Sequence, residues 1–295
     1  MTTSRTKVFR NILRDGKATL MPGAYDALSA RLIERAGFNG VYLGSYATGA
    51  SGFGVPDVGL LTMSELADYA RKLVSATTVP VLADGEAGFF DPPNIWRTVR
   101  SFEDAGVAGI HIEDNLGGKH TDTPAGLVEP QVMERKIRAA VDAKTDPDFT
   151  IIARSDAVWV THDLDDCVTR LQRYVDAGAD AVFAPGLTAR QLHQIRSRIK
   201  VPVMVLGDLP DSHGEQYPSS TLGDYADAGA DLIVLFYLTL GAASKAVSSL
   251  LAELRLNNNV RKASELYENP ISFEAGMGYD DYVTRVAKYS GGKNV

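Results

Sequence analysis

The 295-residue chain has a single cysteine. That excludes an internal disulfide framework and any multi-cysteine zinc or iron–sulfur centre, and it fits a reducing, cytoplasmic setting. The chain also lacks an excess of basic charge. Its 30 lysines and arginines stand against 37 aspartates and glutamates, for a formal net charge of −7. A nucleic-acid groove, which needs a basic face, is not expected. Long apolar runs are missing too: the most apolar stretch, Leu232 to Leu240, is far short of the ~20 residues a membrane helix needs. The segment from Met1 to Lys17 is basic without an apolar centre. It reads as an amphipathic helix with Val8, Phe9, Ile12 and Leu13 on one side rather than as a secretory signal. No Gly-x-Gly-x-x-Gly turn follows the first apolar run, no Ser-His-Asp or Cys-His arrangement emerges, and no internal linker interrupts the chain.

What is present is ordinary globular composition, 45% apolar and 23% charged, carrying a repeat. Glu34-Arg-Ala-Gly-Phe-Asn-Gly-Val-Tyr-Leu43 has the same shape as Glu103 to Ile112, Val175 to Ala184 and Ala226 to Leu235. Each unit is a helix end, a glycine stop and a short run apolar on both faces, as a buried parallel strand should be. Val-Pro-Val recurs at 79–81 and 201–203, with proline at a strand's first positions, where it is tolerated. Eight candidate strands follow, near 18–23, 40–45, 79–84, 109–113, 150–155, 181–185, 201–206 and 231–236, with helical patterns between them. Eight strand–helix units predict an α/β fold of the (β/α)8, TIM-barrel type; a doubly wound open sheet is the runner-up, weakened by the missing glycine fingerprint. The barrel is expected over 1–257. The tail, 258–295, reads as a helical appendage with a helix near 279–289, able to pack on a partner subunit.

In such a barrel the chemistry sits at the strands' C-terminal ends. Strand 3 ends in Asp84-Gly-Glu86-Ala-Gly88 and its neighbour, strand 4, in His111-Ile-Glu113-Asp114. Any one acid there is better explained as a salt bridge or a cap. Three carboxylates converging would repel, and a hard divalent cation resolves the conflict: Mg2+ favours a few carboxylates plus waters and substrate oxygens, and Mn2+ suits the same ligands. Strand 5 ends in Arg154-Ser155-Asp156; its guanidinium can hold a carboxylate or phosphonate through two parallel hydrogen bonds, or make a structural ion pair with a barrel carboxylate. Gly44-Ser45-Tyr46 opens a glycine-bearing loop whose backbone N–H groups can meet an anion, and Asp57 just beyond it can reach a metal-bound water. The polar stretch 115–130, holding Lys119, His120 and Thr121, is an active-site lid or a passive loop; a lysine and a histidine over a carboxylate site favour the lid. Cys167, within a helical pattern, reads as a small buried hydrophobe, and His111 as a packed barrel residue.

These motifs resemble those of the isocitrate lyase/phosphoenolpyruvate mutase superfamily, from Met21-Pro-Gly-Ala-Tyr-Asp-Ala27 to about residue 255. Val55-Pro-Asp57 resembles the family's loop aspartate, Ala83 to Gly88 its Asp-Ala-Asp-Thr-Gly motif, His111 to Asp114 its strand 4 motif, and Ile151 to Ala157 its substrate-arginine strand. The resemblance implies Mg2+ held directly by Asp84, with Glu86 and Glu113 mostly through water. It also implies substrate on Gly44, Ser45, Tyr46 and Arg154, and a last helix exchanged between subunits of a homodimer or homotetramer. The family's chemistry passes through a metal-stabilised enolate of a 2-oxo acid or a close relative. Departures from the pattern narrow this. Thr121 stands where the lyases carry an acidic lid cysteine, Pro185-Gly186 where they place a glutamate, and Leu206-Gly207-Asp208 where they carry an asparagine-rich end. The mutase lid keeps its lysine but not its asparagine. The expectation is therefore a Mg2+-dependent carbon–carbon lyase or decarboxylase for a small 2-oxo or 2-hydroxy dicarboxylate, oxaloacetate-type decarboxylation favoured, with Asp57, Lys119, His120 and Thr121 as catalytic residues. The alternatives are a phosphonopyruvate or phosphoenolpyruvate mutase or hydrolase, and a non-catalytic dicarboxylate binder.

Overall fold

In the computed structural model, which describes residues 4–117, 126–208, 220–258 and 268–290, strands and helices alternate around one eight-stranded parallel sheet. The strands are β1 (Thr19–Pro22), β2 (Val41–Leu43), β3 (Val81–Asp84), β4 (Gly109–Glu113), β5 (Thr150–Arg154), β6 (Ala181–Phe183), β7 (Val203–Leu206) and β8 (Leu232–Leu235). Each lies inside a run that the sequence marks. Consecutive strands pair from β2 to β8, and β8 pairs with β1. Between β1 and β2 a parallel bridge joins Gly23 to Tyr42, and the Ala24 N–H donates to the Tyr42 carbonyl at 2.8 Å. The sheet thus curls into a nearly closed (β/α)8 barrel, and the open-sheet alternative is set aside.

The repeated glycine stops behave as their position requires. Gly37, Gly106, Gly178 and Gly229 all take positive φ, from 83° to 105°, a left-handed conformation that turns each helix into the next strand without a Cβ penalty. Inside the barrel, Met21, Tyr42, Leu82, Ile152, Phe183, Met204 and Val234 form one apolar cluster, joined by Phe9 and Leu13 of the N-terminal helix (Arg5–Arg14). That helix is anchored by Arg10, whose guanidinium meets Asp180 at 2.8 Å. Two further clusters fill the layer between strands and surrounding helices.

The chain divides into two units, Met1–Leu240 and Gly241–Val295. The first is the barrel. A helix over Leu238–Asn257 begins in it and opens the second, which continues with helices Pro270–Gly276 and Tyr279–Tyr289. None of these three helices has a buried residue. Among the described residues, no helix is long and apolar enough to cross a membrane.

Candidate active site

Strands β3 and β4 pair in register, Asp84 opposite His111, so their ends deliver carboxylates side by side. Asp84, Glu86 and Glu113 each offer an oxygen within 4.8 Å of the others'. Asp84 and Glu113 are buried and Glu86 is half-buried. The loop that carries Glu86 is tightly shaped. Gly85 passes so close to β4 that a Cβ on it would sit 2.6 Å from the His111 carbonyl. Glu86 itself holds a left-handed φ of 50°, unusual for a residue with a side chain and therefore imposed by its surroundings. Two buried side chains supply that constraint: the Lys136 ammonium donates to the Ala87 carbonyl at 2.6 Å, and the Thr98 hydroxyl to the Gly88 carbonyl at 2.7 Å. Burial lowers the Lys136 pKa, against the pull of Asp91 and Glu113.

The donor set fits a hard cation. It consists of carboxylate oxygens alone, convergent and held by a constrained backbone, two of the three side chains buried, which is what Mg2+ or Mn2+ takes and softer metals do not require. His111 is not part of it. Its Nε2 lies 2.9 Å from the Tyr42 hydroxyl, its ring stacks on Tyr42 at 5.8 Å, and Nδ1 is 3.7 Å from Asp84. It packs inside the barrel, as the sequence led us to expect.

Arg154 makes the ion pairs with neighbouring carboxylates that its structural reading predicts. Its Nε and Nη2 donate to the two oxygens of Asp156 at 2.7 and 3.1 Å, and Nη1 lies 3.0 Å from Glu113. Burial works against the guanidinium's charge, but Asp156 and Glu113 outweigh it and keep Arg154 protonated. Asp156 is itself held by the Asn115 amide at 3.0 Å, and its N–H donates to Asp114. Asp114 also accepts from the Ser155 and Tyr174 hydroxyls at 2.8 and 2.7 Å; burial nonetheless raises its pKa. This buried network positions Arg154, and little in the sequence announced it beyond Asp156's place two residues on.

The Gly44–Gly54 stretch departs from the loop read in the sequence. It is a helical turn over Ser45–Thr48 followed by a π-helical turn over Gly49–Phe53, with Gly44 extended as the cap and Thr48 bonded back to the Gly44 carbonyl. Glycine count suggested a loop, but the local hydrogen bonds close into helix. The turn still presents donors to an anion. The Ser45 N–H and hydroxyl reach Asp84 at 3.3 and 3.0 Å, and the hydroxyl lies 3.1 Å from Asp57. Asp57 is thereby tied to the carboxylate site, whereas Lys119, His120 and Thr121 lie outside the described residues.

A pocket of about 420 Å3, its open mouth included, joins these groups. Ser45, Asp57, Asp84 and Arg154 make its polar side; Tyr46, Trp159, Phe183, Leu206 and Phe236 make the other. Phe183, Leu206 and Phe236 were not singled out in the sequence as pocket residues, although each stands at a strand end, the one signal that would have found them. Asp208, at the end of β7, does not join the carboxylates. It accepts the N–H groups of Phe236, Tyr237 and Leu238 and so caps the helix that begins at Leu238.

A phosphoenolpyruvate phosphomutase family model matches residues 9–255. The chain belongs to the isocitrate lyase/phosphoenolpyruvate mutase superfamily. Within it, the oxaloacetate decarboxylase of Bradyrhizobium sp. (strain BTAi1) is 36% identical over 259 residues, 85% of each chain. The 2,3-dimethylmalate lyase of Eubacterium barkeri is 44% identical over 176 residues, 59% of this chain. That match spans 61% of the dimethylmalate lyase, less than two thirds of its length. Among solved structures, a phosphonopyruvate hydrolase in complex with oxalate and Mg2+ superposes with a TM-score of 0.85 at 27% identity, covering 97% of this chain and 99% of the hydrolase.

Proposed function

We propose that the protein is a Mg2+-dependent carbon–carbon lyase for a small 2-oxo or 2-hydroxy dicarboxylate, and that decarboxylation of an oxaloacetate-type substrate is its reaction. One observation carries the reading: three convergent carboxylates, from the end of β3, the loop after it and β4, stand beside a protonated arginine on β5, and Asp84 and Arg154 line one pocket. Mg2+ held by Asp84, Glu86 and Glu113 would supply positive charge for the substrate's C1 carboxylate and C2 oxygen, where negative charge develops. Arg154 takes a substrate carboxylate, pre-aimed by Asp156. The Ser45 hydroxyl and N–H, which reach Asp84, offer the substrate the same donors. In decarboxylation the C3–C4 bond breaks, its electron pair passes to the C2 oxygen to give an enolate, and CO2 leaves. C3 then takes a proton from water, Tyr46 or His120. Lys119 and Thr121 belong to the lid of this reading, and no cysteine is needed.

Retro-aldol cleavage of a 2-alkylmalate is the second reading, favoured by the apolar side of the pocket and by the likeness to the dimethylmalate lyase. There Asp57 takes the 2-hydroxyl proton, C2 becomes the carbonyl of a 2-oxo acid, and the electron pair of the broken C2–C3 bond stays on C3 and its carboxylate until C3 takes a proton from water, Tyr46 or His120. In either case residues 1–257 serve as the catalytic barrel and 258–295 as the extension. We take the enzyme to be a cytoplasmic homodimer or homotetramer that exchanges its C-terminal helices. Support comes from the exposure of Ile271 at 80% and of Val283 on helices without a buried residue.

The test is pyruvate release from oxaloacetate with Mg2+ and then with EDTA, after subtracting the spontaneous rate. Metal-dependent release well above background is expected. Release of acetate-type fragments from alkylmalates alone would transfer the assignment to the second reading. A phosphorus-31 shift change with phosphonopyruvate would overturn both.

A further inference from the structure

Strand β6 ends in Phe183-Ala184-Pro185-Gly186, without one polar side chain. The space beside this end is filled by Trp159, from a short helix over Ala157–Val160. Gly186 makes that possible. It holds a φ of +83°, and a Cβ on it would fall 2.5 Å from the indole Cδ1. The indole lies against Arg154, whose Cζ is 5.5 Å from the Trp159 ring and 5.3 Å from the Phe183 ring. Both rings face the guanidinium at cation–π distance. Leu206 and Phe236 carry the same apolar wall onward to β7 and β8.

A substrate gripped by Arg154 and the carboxylate site must turn its C3 substituent toward one side or the other. On the polar side, Asp57 and Asp84 repel an anion. On the Trp159 side, a carboxylate would surrender its hydration to aromatic and aliphatic surface that returns no hydrogen bond. A hydrogen or methyl group loses nothing there and buries apolar area. Resting on the lyase reading above, we infer that Trp159, seated by Gly186, is a specificity-determining residue. It restricts the site to dicarboxylates bearing hydrogen or a small alkyl group at C3 and excludes a third carboxylate.

Binding separates this inference from the identity of the reaction. With Mg2+ present, calorimetry on the full-length protein would use malate, its 3-methyl derivative and its 3-carboxymethyl derivative. The first two should bind within roughly tenfold of one another and the third about a hundredfold more weakly. Trp159→Ala should recover roughly tenfold of that loss for the tricarboxylate while weakening the other two. Gly186→Ala, which displaces the indole, should shift selectivity the same way and add nothing in the Trp159→Ala background. Trp159→Phe should stay near the wild type, which shows that a flat apolar face is what matters. Equal weakening of all three ligands in Trp159→Ala, or a wild type that binds the tricarboxylate as well as malate, overturns the inference. Should Gly186→Ala fail to fold by circular dichroism, the Trp159 pair alone decides. Oxaloacetate turnover, run alongside, reports on the lyase reading. Its absence with selective binding intact overturns the decarboxylase assignment and leaves Trp159's role standing; absence of all binding overturns both.

Discussion

The rim of this barrel has two unlike sides. Strands β3 to β5 end in Asp84, Glu113 and Arg154, all buried, and each charge there has a partner on a neighbouring element. Strands β6 to β8 end in Phe183, Leu206 and the Leu235-Phe236 step, and the acid that follows β7, Asp208, is spent on capping a helix. The same fold geometry thus supports a charged half, where burial is tolerable only because positive and negative groups are interleaved, and an apolar half, where no compensation is needed. In the proposed reaction the reacting groups belong to the first half, where buried charges are held rigidly by their partners, and the proposed substrate selection belongs to the second.

The sharpest way to break the charged half is Asp84→Ala. It removes the central carboxylate, so Mg2+-dependent turnover should fall by roughly a thousandfold or more. Calorimetric Mg2+ binding should vanish while the circular dichroism spectrum is retained; unchanged activity would remove the metal assignment. Next is Asp156→Ala, which leaves Arg154 buried beside Glu113 alone. Breaking a buried pair on one side should cost about 3 kcal/mol, read from urea unfolding. A loss under 1 kcal/mol would mean that Glu113 suffices. Arg154→Lys keeps the charge but not the fork. Losing one charge-assisted hydrogen bond, about 1.5 kcal/mol, should raise the substrate's Kd roughly tenfold; no change would make Arg154 purely structural.

The mildest test lies on the apolar half. Asp208→Asn removes one acceptor from the cap and should cost about 1 kcal/mol. Burial raises the Asp208 pKa above 3.8 despite three backbone N–H bonds. The folded protein therefore holds this proton more tightly than the unfolded chain. The group's contribution to stability is full below 3.8 and is lost as pH rises through the raised folded value. Asparagine does not titrate. The stability gap between wild type and variant should narrow as pH climbs through that window and then level off. A gap that widens instead would show that the hydrogen bonds outweigh burial.

The charged half was far more legible in the sequence than the apolar half. Asp84, Glu113 and Arg154 are acidic or basic residues closing apolar runs, and charge at the end of a buried strand has few explanations. Phe183, Leu206 and Phe236 read as ordinary core, because an apolar residue at a strand end looks the same whether it faces a helix or a substrate. Asp208 also follows a buried strand, and its three backbone partners show it to be a cap. The Gly44–Gly54 turn reads as a loop in the sequence because glycine spacing carries no record of which carbonyls the N–H groups will find.

By itself the sequence determined the (β/α)8 order and the strand that would carry each charged group. Both are written in local patterns: the recurring glycine stop with its left-handed turn, the doubly apolar runs, and the acids that terminate them. Tertiary structure decided what those groups do to one another. It bent Glu86 into a left-handed backbone beneath Lys136 and Thr98, pinned Arg154 to Asp156, and let Trp159 into the space that Gly186 leaves open. Those outcomes depend on distances between residues far apart in the chain, which only packing sets.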